Sequence, residues 1–195
     1  KVKKIVVLEK KDINKIKSIK NFNCKVLFQK NNGYGAALIE GINTVRTKYF
    51  CIFNADGSFN PKELKTMINK IKKERLDIVF GSRYEKEGGS EDDTFITLIG
   101  NYFFTTLGKI IFQLNISDIL YTYVIGETKK VIKLKLKELS FNYCVELPIK
   151  ANRNFLKISS SPAFERPRIA GKKKVNAFKD GFSILMCMLG LIFKK

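Results

Sequence analysis

The sequence predicts an α/β fold in which a mostly parallel β-sheet is flanked by helices, and two observations support this prediction. First, short apolar runs alternate along the chain with longer segments whose apolar residues recur at helical spacing. Alternating strands and helices are typical of parallel sheets that carry helices on both faces. Second, the chain has 195 residues and is 45% hydrophobic. That length and composition suit one globular domain with a sizeable core.

Four short apolar runs are predicted to be strands. They cover residues 4–8, 24–28, 49–53 and 77–80. Each run is shorter than a typical helix, and polar or turn-forming residues follow it, which favours a buried strand.

Three intervening segments are predicted to be helices. Residues 12–20 carry isoleucines at three-residue spacing, and residues 36–45 place alanine, leucine and isoleucine on an inner face. The third helix is expected to start at Asn60, because Asn60 can cap it and Pro61 suits the first helical position. Glu63 stands where the acid of a capping box stands.

Charge and composition limit the function. The formal net charge is +19, which favours nucleic acid, phosphorylated small molecules or acidic lipid surfaces as partners. The lysines are spread along the chain, so much of the excess is expected to be solvated surface charge. The chain has no His, and so lacks the commonest general base and zinc ligand. The cysteines lie in apolar runs without metal-ligand spacing and are expected to be buried free thiols: Cys24, Cys51, Cys144 and Cys187.

The third predicted strand runs directly into Asn54-Ala55-Asp56-Gly57-Ser58. In open α/β sheets, ligands bind beyond the carboxyl ends of the strands. A hard cation such as Mg²⁺ or Mn²⁺ takes oxygen ligands and usually also phosphate oxygens of a substrate. Asp56 can supply the carboxylate, Asn54 or Ser58 can support it, and the small Ala55 lets a ligand approach the backbone. The alternative interpretation is an ordinary turn, since Asn and Asp end many strands.

Several motifs, taken in order, resemble those of family-two glycosyltransferases. They cover residues 32–41 (NGYGAALIEG), 54–58 (NADGS), 81–84 (GSRY), 99–105 (IGNYFFT), 116–118 (ISD) and 164–176 (FERPRIAGKKKVN). Their order and spacing are similar to those of the branch of dolichyl-phosphate mannosyltransferases and polyprenyl-phosphate sugar synthases. Several ordered motifs are far more specific than any single one.

The resemblance implies a glycosyltransferase-A, Rossmann-like fold that binds a nucleotide-diphosphate sugar with Mg²⁺ or Mn²⁺ as cofactor. It also implies the site residues. The catalytic candidates are Asp56, Arg83 and Asp118. The donor-binding candidates are Glu9, Gly33, Gly35, Asn54, Ala55, Asp56 and Arg83. The metal candidates are Asp56, Asn54 and Ser58. The candidates for gripping phosphate, including that of the acceptor, are Arg168 and Lys174.

The chain departs from the family pattern at several places. Asn54 replaces the first Asp of the family's Asp-x-Asp element, which removes a negative charge beside the cation. Glu9 is the one residue near the first strand that could replace the family's base-binding acid. Nothing like the family's first strand precedes Lys1, so we expect a catalytic domain over residues 1–160 that lacks its first strand and helix, or a diverged member.

The acceptor is predicted to be a polyprenyl or dolichyl phosphate. A phosphate is already an anion and needs positioning by Lys and Arg rather than deprotonation, which suits a chain without His. Asp118 is a fallback base, although a structural cap is an alternative role for it. Residues 161–195 are predicted to be a basic loop and an amphipathic juxtamembrane helix.

Residues 182–193 are nearly all apolar and are flanked by lysines. Such a segment is too short to span a bilayer but suits a helix at an anionic membrane surface. The alternative is an ordinary core helix. We therefore expect the cytoplasmic face of a membrane, with peripheral attachment or a further C-terminal anchor.

Other functions remain open at this point. The chain could be a catalytically weakened partner subunit, because Asn54 and residues 8–11 depart from the pattern. It could also transfer a sugar to a hydroxyl of a surface polysaccharide. A nucleic-acid-binding protein is the remote alternative, and no nucleic acid is expected, because the lysines are not clustered on one element.

Overall fold

A computed structural model describes residues 2–171 and 176–193 of the chain. Its strands are β1 (Lys4–Leu8), β2 (Cys24–Phe28), β3 (Tyr49–Cys51), β4 (Ile78–Ser82), β5 (Gly89–Ser90), β6 (Val124–Glu127), β7 (Ile158–Pro162) and β8 (Phe164–Glu165). Its α-helices are α1 (Ile16–Ile19), α2 (Tyr34–Thr44), α3 (Glu63–Lys73), α4 (Phe95–Phe112), α5 (Thr128–Lys133), α6 (Tyr143–Arg153) and α7 (Ala177–Phe193). The predicted alternation of strands and helices is confirmed.

The central sheet has four strands in the order β3-β6-β4-β7. β4 and β7 are parallel, whereas β6 runs antiparallel to both β3 and β4. β1 and β2 form a separate parallel pair, as do β5 and β8. The predicted mostly parallel sheet flanked by helices is therefore confirmed, with β6 as the reversed strand.

Alternate residues of the central strands face two hydrophobic clusters on opposite sides of the sheet, as the two-residue period of a strand requires. Ile78 and Phe80 of β4 belong to the larger cluster, which also contains residues of α4, α6 and α7. Val79 belongs to the smaller cluster, with Met67 and Ile71 of α3. All five residues of β4 are buried, as is typical of a strand covered on both faces.

The predicted helix over residues 12–20 takes a different form. Two 3₁₀ segments, Lys10–Lys15 and Lys20–Phe22, flank the four-residue α1. Ile13 lies in the first 3₁₀ segment, whereas Ile16 and Ile19 are the two ends of α1. Three-residue spacing places side chains on one side of either helix type, so it does not distinguish a 3₁₀-helix from an α-helix.

The beginning of α3 also differs from the prediction. The helix begins at Glu63, and the Asn60 Oδ1 accepts a hydrogen bond from the Lys62 amide. The Glu63 Oε1 accepts the amide of Phe164, from β8, instead of closing a capping box. The partner of the Glu63 carboxylate is therefore a residue distant in the sequence and not an amide at the start of its own helix.

Helix α4 contains the Gly100-Asn101 pair of the motif over residues 99–105 in its interior. Thr94 and Thr97 form the capping box at its N-terminus. By length and apolar composition, α4 is also the one helix within the described ranges that could cross a bilayer, and 28% of it is buried in the structure. Core helices of soluble proteins can share these properties, so they do not assign α4 to a membrane.

Helix α7 packs against α4 and α6. Its buried side chains Ile184, Met188 and Leu191 belong to the larger hydrophobic cluster. The C-terminal apolar segment therefore completes the core with one of its faces.

Candidate functional site

The candidate site lies at the carboxyl edge of the central sheet. β3, β4 and β7 all end there, because β3 and β4 are each antiparallel to β6 and β4 is parallel to β7. The reversed strand β6 begins at the same edge. The residues that follow β3 and β4 therefore meet the residues that precede β6.

Asp56 is held in a tight turn after β3. Its Oδ1 accepts hydrogen bonds from the Ser58 amide, at 3.0 Å, and from the Ser58 hydroxyl, at 2.7 Å. Gly57 between them has a φ of +88°, a conformation that side chains other than glycine's rarely adopt. Ser58 is fully buried, so the turn fixes the direction of the Asp56 carboxylate.

The loop after β8 lies against this turn. The amides of Arg166 and Ile169 donate to the carbonyl oxygens of Ser58 and Asp56, at 2.9 and 2.8 Å. The Arg168 Nη1 lies 3.3 Å from the Asp56 Oδ2. Arg168 is thus brought to the predicted cation ligand, whereas Lys174 lies outside the described residues.

Asn54 accepts a hydrogen bond from Tyr34, a residue that is not among the candidate site residues of the sequence analysis. The Tyr34 hydroxyl donates to the Asn54 Oδ1 at 3.2 Å and lies 2.7 Å from the Thr122 hydroxyl, just before β6. Burial raises the pKa of Tyr34 above its ordinary value, so the hydroxyl keeps its proton at neutral pH. The sequence signal for Tyr34 is its place in the Gly-Tyr-Gly turn, where the glycines carry the resemblance.

Those glycines are needed for packing. A Cβ on Gly33 would lie 2.1 Å from the Leu139 carbonyl oxygen, and one on Gly35 would lie 2.2 Å from that of Glu138. The segment before α6 therefore approaches the start of α2 too closely for any other residue. Their donor-binding role stays a prediction.

Arg83 follows β4 and forms ion pairs with three carboxylates. Its Nε and Nη2 donate to the two oxygens of Asp118, at 2.7 and 3.0 Å, and its Nη1 lies 3.1 Å from the Asp93 Oδ1 and 3.0 Å from the Glu165 Oε2. We call these four residues the Arg83 cluster. Burial lowers the pKa of the guanidinium, but the three carboxylates outweigh it and raise the pKa well above its usual value. The resemblance implied that Arg83 contacts the donor diphosphate. In the structure, the three nitrogens of its guanidinium are bonded to carboxylates of the Arg83 cluster.

Asp118 is fully buried. Besides its bidentate pair with Arg83, it accepts the Arg83 amide at 3.2 Å and the Asn101 side-chain amide at 2.7 Å. Charge-assisted hydrogen bonds of this kind are shorter and stronger than those between neutral groups. The arrangement makes Asp118 an anchor between β4 and α4, and its role as a base stays a prediction.

The remaining donor candidates differ in position. Ala55 is exposed beside Asp56, which leaves the backbone there open to a ligand. Glu9 follows β1, on the separate two-stranded sheet, and pairs with Lys11.

These residues fit a cation that is held jointly by the protein and by substrate phosphates better than a cation held by protein ligands alone. No cluster of three or more acidic, Cys or His side chains suited to a metal occurs in residues 2–171 and 176–193. Asp56 provides one carboxylate whose Oδ2 points out of its turn, and Asn54 provides an amide oxygen. Mg²⁺ is often held by one or two carboxylates together with substrate phosphates, so the donor set fits a cation that a diphosphate completes.

Comparison with known proteins finds chains that are similar in sequence. The chain is 26% identical over 166 residues to an uncharacterised protein of Methanocaldococcus jannaschii, covering 80% of this chain and 68% of that one. It is 24% identical over 159 residues to the low-salt glycan biosynthesis hexosyltransferase of Haloferax volcanii, covering 80% of this chain and 38% of that protein.

The fold is similar to that of glucosyl-3-phosphoglycerate synthase from Mycobacterium tuberculosis, solved with Mn²⁺, UDP and glucosyl-3-phosphoglycerate. The TM-score is 0.66 at 10% sequence identity, over 96% of this chain and 68% of that chain. The same enzyme has been solved with Mg²⁺ and UDP. Residues 10–134 match the Glycosyl transferase family 2 model. The chain therefore belongs to glycosyl transferase family 2.

Proposed function

We propose that this glycosyltransferase moves a hexosyl group from a nucleotide-diphosphate sugar to the phosphate of a polyprenyl or dolichyl lipid, as the dolichyl-phosphate mannosyltransferase-like branch does. The observation that carries the proposal is the Asp56 carboxylate, fixed by its turn at the carboxyl edge of the sheet with Arg168 beside it. A carboxylate and a guanidinium at one point suit a ligand that brings both a divalent cation and phosphate groups.

The donor half of the proposal rests on what the leaving group needs. Cleavage of the sugar–phosphate bond leaves a nucleoside diphosphate, whose developing charge must be stabilised. Asp56 would hold Mg²⁺ or Mn²⁺, which neutralises that charge when bound. Arg168 would hold diphosphate oxygens with its guanidinium fork. The UDP complexes of the structural neighbour, with Mn²⁺ or Mg²⁺, support this donor class.

The acceptor half rests on what the site lacks. A hydroxyl acceptor needs a base. The chain has no His, and the site carboxylates Asp92, Asp93 and Asp118 are each paired with an arginine. A lipid monophosphate is already anionic and needs no proton removed before it attacks the sugar carbon. Such an acceptor therefore suits this site better than a sugar hydroxyl does.

The membrane location is supported by an apolar surface on α4 and α7, which pack against each other. We call its exposed side chains the outer face: Phe95, Ile96, Leu98, Ile99, Tyr102, Phe103, Ile110 and Ile111 of α4, and Phe178, Phe182, Met186, Leu189, Ile192 and Phe193 of α7. Contiguous exposed apolar patches commonly mark protein or membrane contacts. With the +19 charge of the chain, the outer face suits the cytoplasmic surface of an anionic membrane.

The test is transfer of labelled hexose from a panel of nucleotide sugars to a short polyprenyl phosphate, with Mn²⁺ or Mg²⁺. We expect a lipid-phosphate sugar product, and we expect Asp56→Ala to abolish it while circular dichroism shows an intact fold. Glu74→Ala, which removes an exposed carboxylate at the end of α3, is the matched control and should retain activity.

Two results would contradict the proposal. Transfer only to an oligosaccharide hydroxyl would identify a polysaccharide-extending enzyme. Absence of transfer from every nucleotide sugar, with intact folding, would indicate an inactive partner subunit. The observation that favours this second outcome is the hydrogen bond from the Tyr34 hydroxyl to the Asn54 amide oxygen, which stands in place of the family's acid.

A further inference from the structure

The Asp56 oxygen that points out of its turn already faces a positive charge. Its Oδ1 is held by Ser58, while its Oδ2 lies 3.3 Å from the Arg168 Nη1. The Arg168 Nε lies 3.3 Å from the Oδ2 of a second carboxylate, Asp92, in the loop before α4. Arg168 therefore bridges Asp56 and Asp92.

A divalent cation and this guanidinium compete for the same oxygen. The Arg168 side chain is 26% exposed and that of Asp56 is 19% exposed, so water screens their charges only in part. Two positive groups at one carboxylate repel each other, and the repulsion is stronger where screening is incomplete. A cation that binds this Asp56 oxygen must therefore take the place of Arg168.

The backbone around Arg168 allows this displacement without movement of the loop. The amides of Arg166 and Ile169, on either side, are bonded to the carbonyls of Ser58 and Asp56. Asp92 provides an alternative partner next to the first. Rotation of the arginine side chain alone can thus free the Asp56 oxygen while the guanidinium stays at the site.

We propose that Arg168 is the built-in counter-ion of Asp56 and that a cation and a nucleotide diphosphate replace it together. The diphosphate supplies negative oxygens for the released guanidinium, and it supplies further ligands for the cation. Each ligand therefore lowers the cost of binding the other, and their coupling is reciprocal. The inference rests on the proposed function for the identity of the diphosphate, but the ion pair itself belongs to the protein without ligand.

The test measures binding of Mn²⁺ alone, from the electron paramagnetic resonance of free Mn²⁺, and calorimetric binding of UDP with and without Mn²⁺. We expect Arg168→Gln to bind Mn²⁺ alone about fivefold more tightly than the natural protein, which corresponds to a partly exposed ion pair of about 1 kcal/mol. The factor by which Mn²⁺ strengthens UDP binding should fall by at least the same amount.

Two further variants locate the effect. Arg46→Gln removes an exposed positive charge whose Nη1 donates to the carbonyl oxygens of Asn43 and Val45, and it should leave Mn²⁺ affinity unchanged. Adding Asp56→Asn to the Arg168→Gln variant should abolish the increase in Mn²⁺ affinity, because the inference places the bound ion at Asp56.

Equal or weaker Mn²⁺ binding by Arg168→Gln would overturn the inference, and so would a gain that survives Asp56→Asn. Neither result depends on sugar transfer. If no nucleotide sugar is a donor but Arg168→Gln still gains Mn²⁺ affinity, then the proposed function fails and the counter-ion role stands.

Discussion

Replacement of Asp118 by alanine should destabilise the protein strongly. Asp118 is fully buried and accepts four hydrogen bonds, three from Arg83 and one from Asn101. Breaking a buried ion pair from one side costs about 3–5 kcal/mol, because it leaves an uncompensated charge. Asp93 and Glu165 would still pair with Arg83, so we expect the lower end, about 3 kcal/mol.

For a chain of this size, each kcal/mol lowers the melting temperature by about 2–4 °C. Asp118→Ala should thus lower it by roughly 6–12 °C, measured by circular dichroism at neutral pH. Lys70→Ala, which removes one partner of a surface pair on α3 with a 4.0 Å separation, is the control. It should shift the melting temperature by no more than about 2 °C.

The Asp118→Asn variant distinguishes a structural role of Asp118 from a role as a catalytic base. If Asp118 is an anchor, the substituted amide keeps one acceptor oxygen and loses part of the stability, and the pH profile of any remaining transfer should keep its shape. A fully stable Asp118→Asn protein whose transfer has lost its acid limb would refute the anchor role and identify a catalytic base. A melting shift for Asp118→Ala as small as that of the control would also refute it.

Three other variants test separate parts of the structure. Asn54→Asp should tighten Mn²⁺ binding in the presence of UDP about tenfold, because it adds a carboxylate beside Asp56; unchanged calorimetric affinity would mean that residue 54 does not face the cation. Gly35→Ala should cost about 2 kcal/mol or more in chemical denaturation, because its Cβ would lie 2.2 Å from a carbonyl oxygen; a neutral effect would contradict the packing. Phe178→Ser with Phe182→Ser should weaken sedimentation with anionic liposomes at least about tenfold, because these side chains are 80% and 67% exposed on the outer face. Melting should be little changed, and lipid binding equal to that of the natural protein would remove the outer face from the membrane contact. Deleting residues 182–195 is a poorer test, since it also removes buried side chains from the core.

Sequence reasoning succeeded where local patterns decide the structure. The apolar runs of β1, β2, β3 and β4 were predicted to within two residues of their observed ends, because strand length and flanking turns are local properties. β6 was not predicted. Only its first two residues, Val124 and Ile125, are apolar, and Gly126 and Glu127 complete it. Nothing local shows that so short a segment runs antiparallel between two other strands.

The site shows the same division. The Asp56 turn was predicted because its bonds join residues two apart. The partners of Arg83 lie 10, 35 and 82 residues away along the chain, so no local pattern could place its guanidinium. Tyr34 reaches Thr122 across 88 residues and was missed for the same reason.

The Arg83 cluster has a consequence for the charge balance of the site. It holds three carboxylates against one guanidinium, so it carries two formal negative charges in a chain of net charge +19. The negative charges of Asp56 and Asp92 are balanced by Arg168 and Arg166, so these four residues leave that net charge unchanged. The described part of the site is therefore formally negative at short range while the whole protein is strongly positive at long range. The long-range field draws phosphate-bearing molecules towards the protein, whereas the local negative charge opposes the final approach of a bare anion. A magnesium or manganese ion bound to a diphosphate neutralises charge that this local field would otherwise repel.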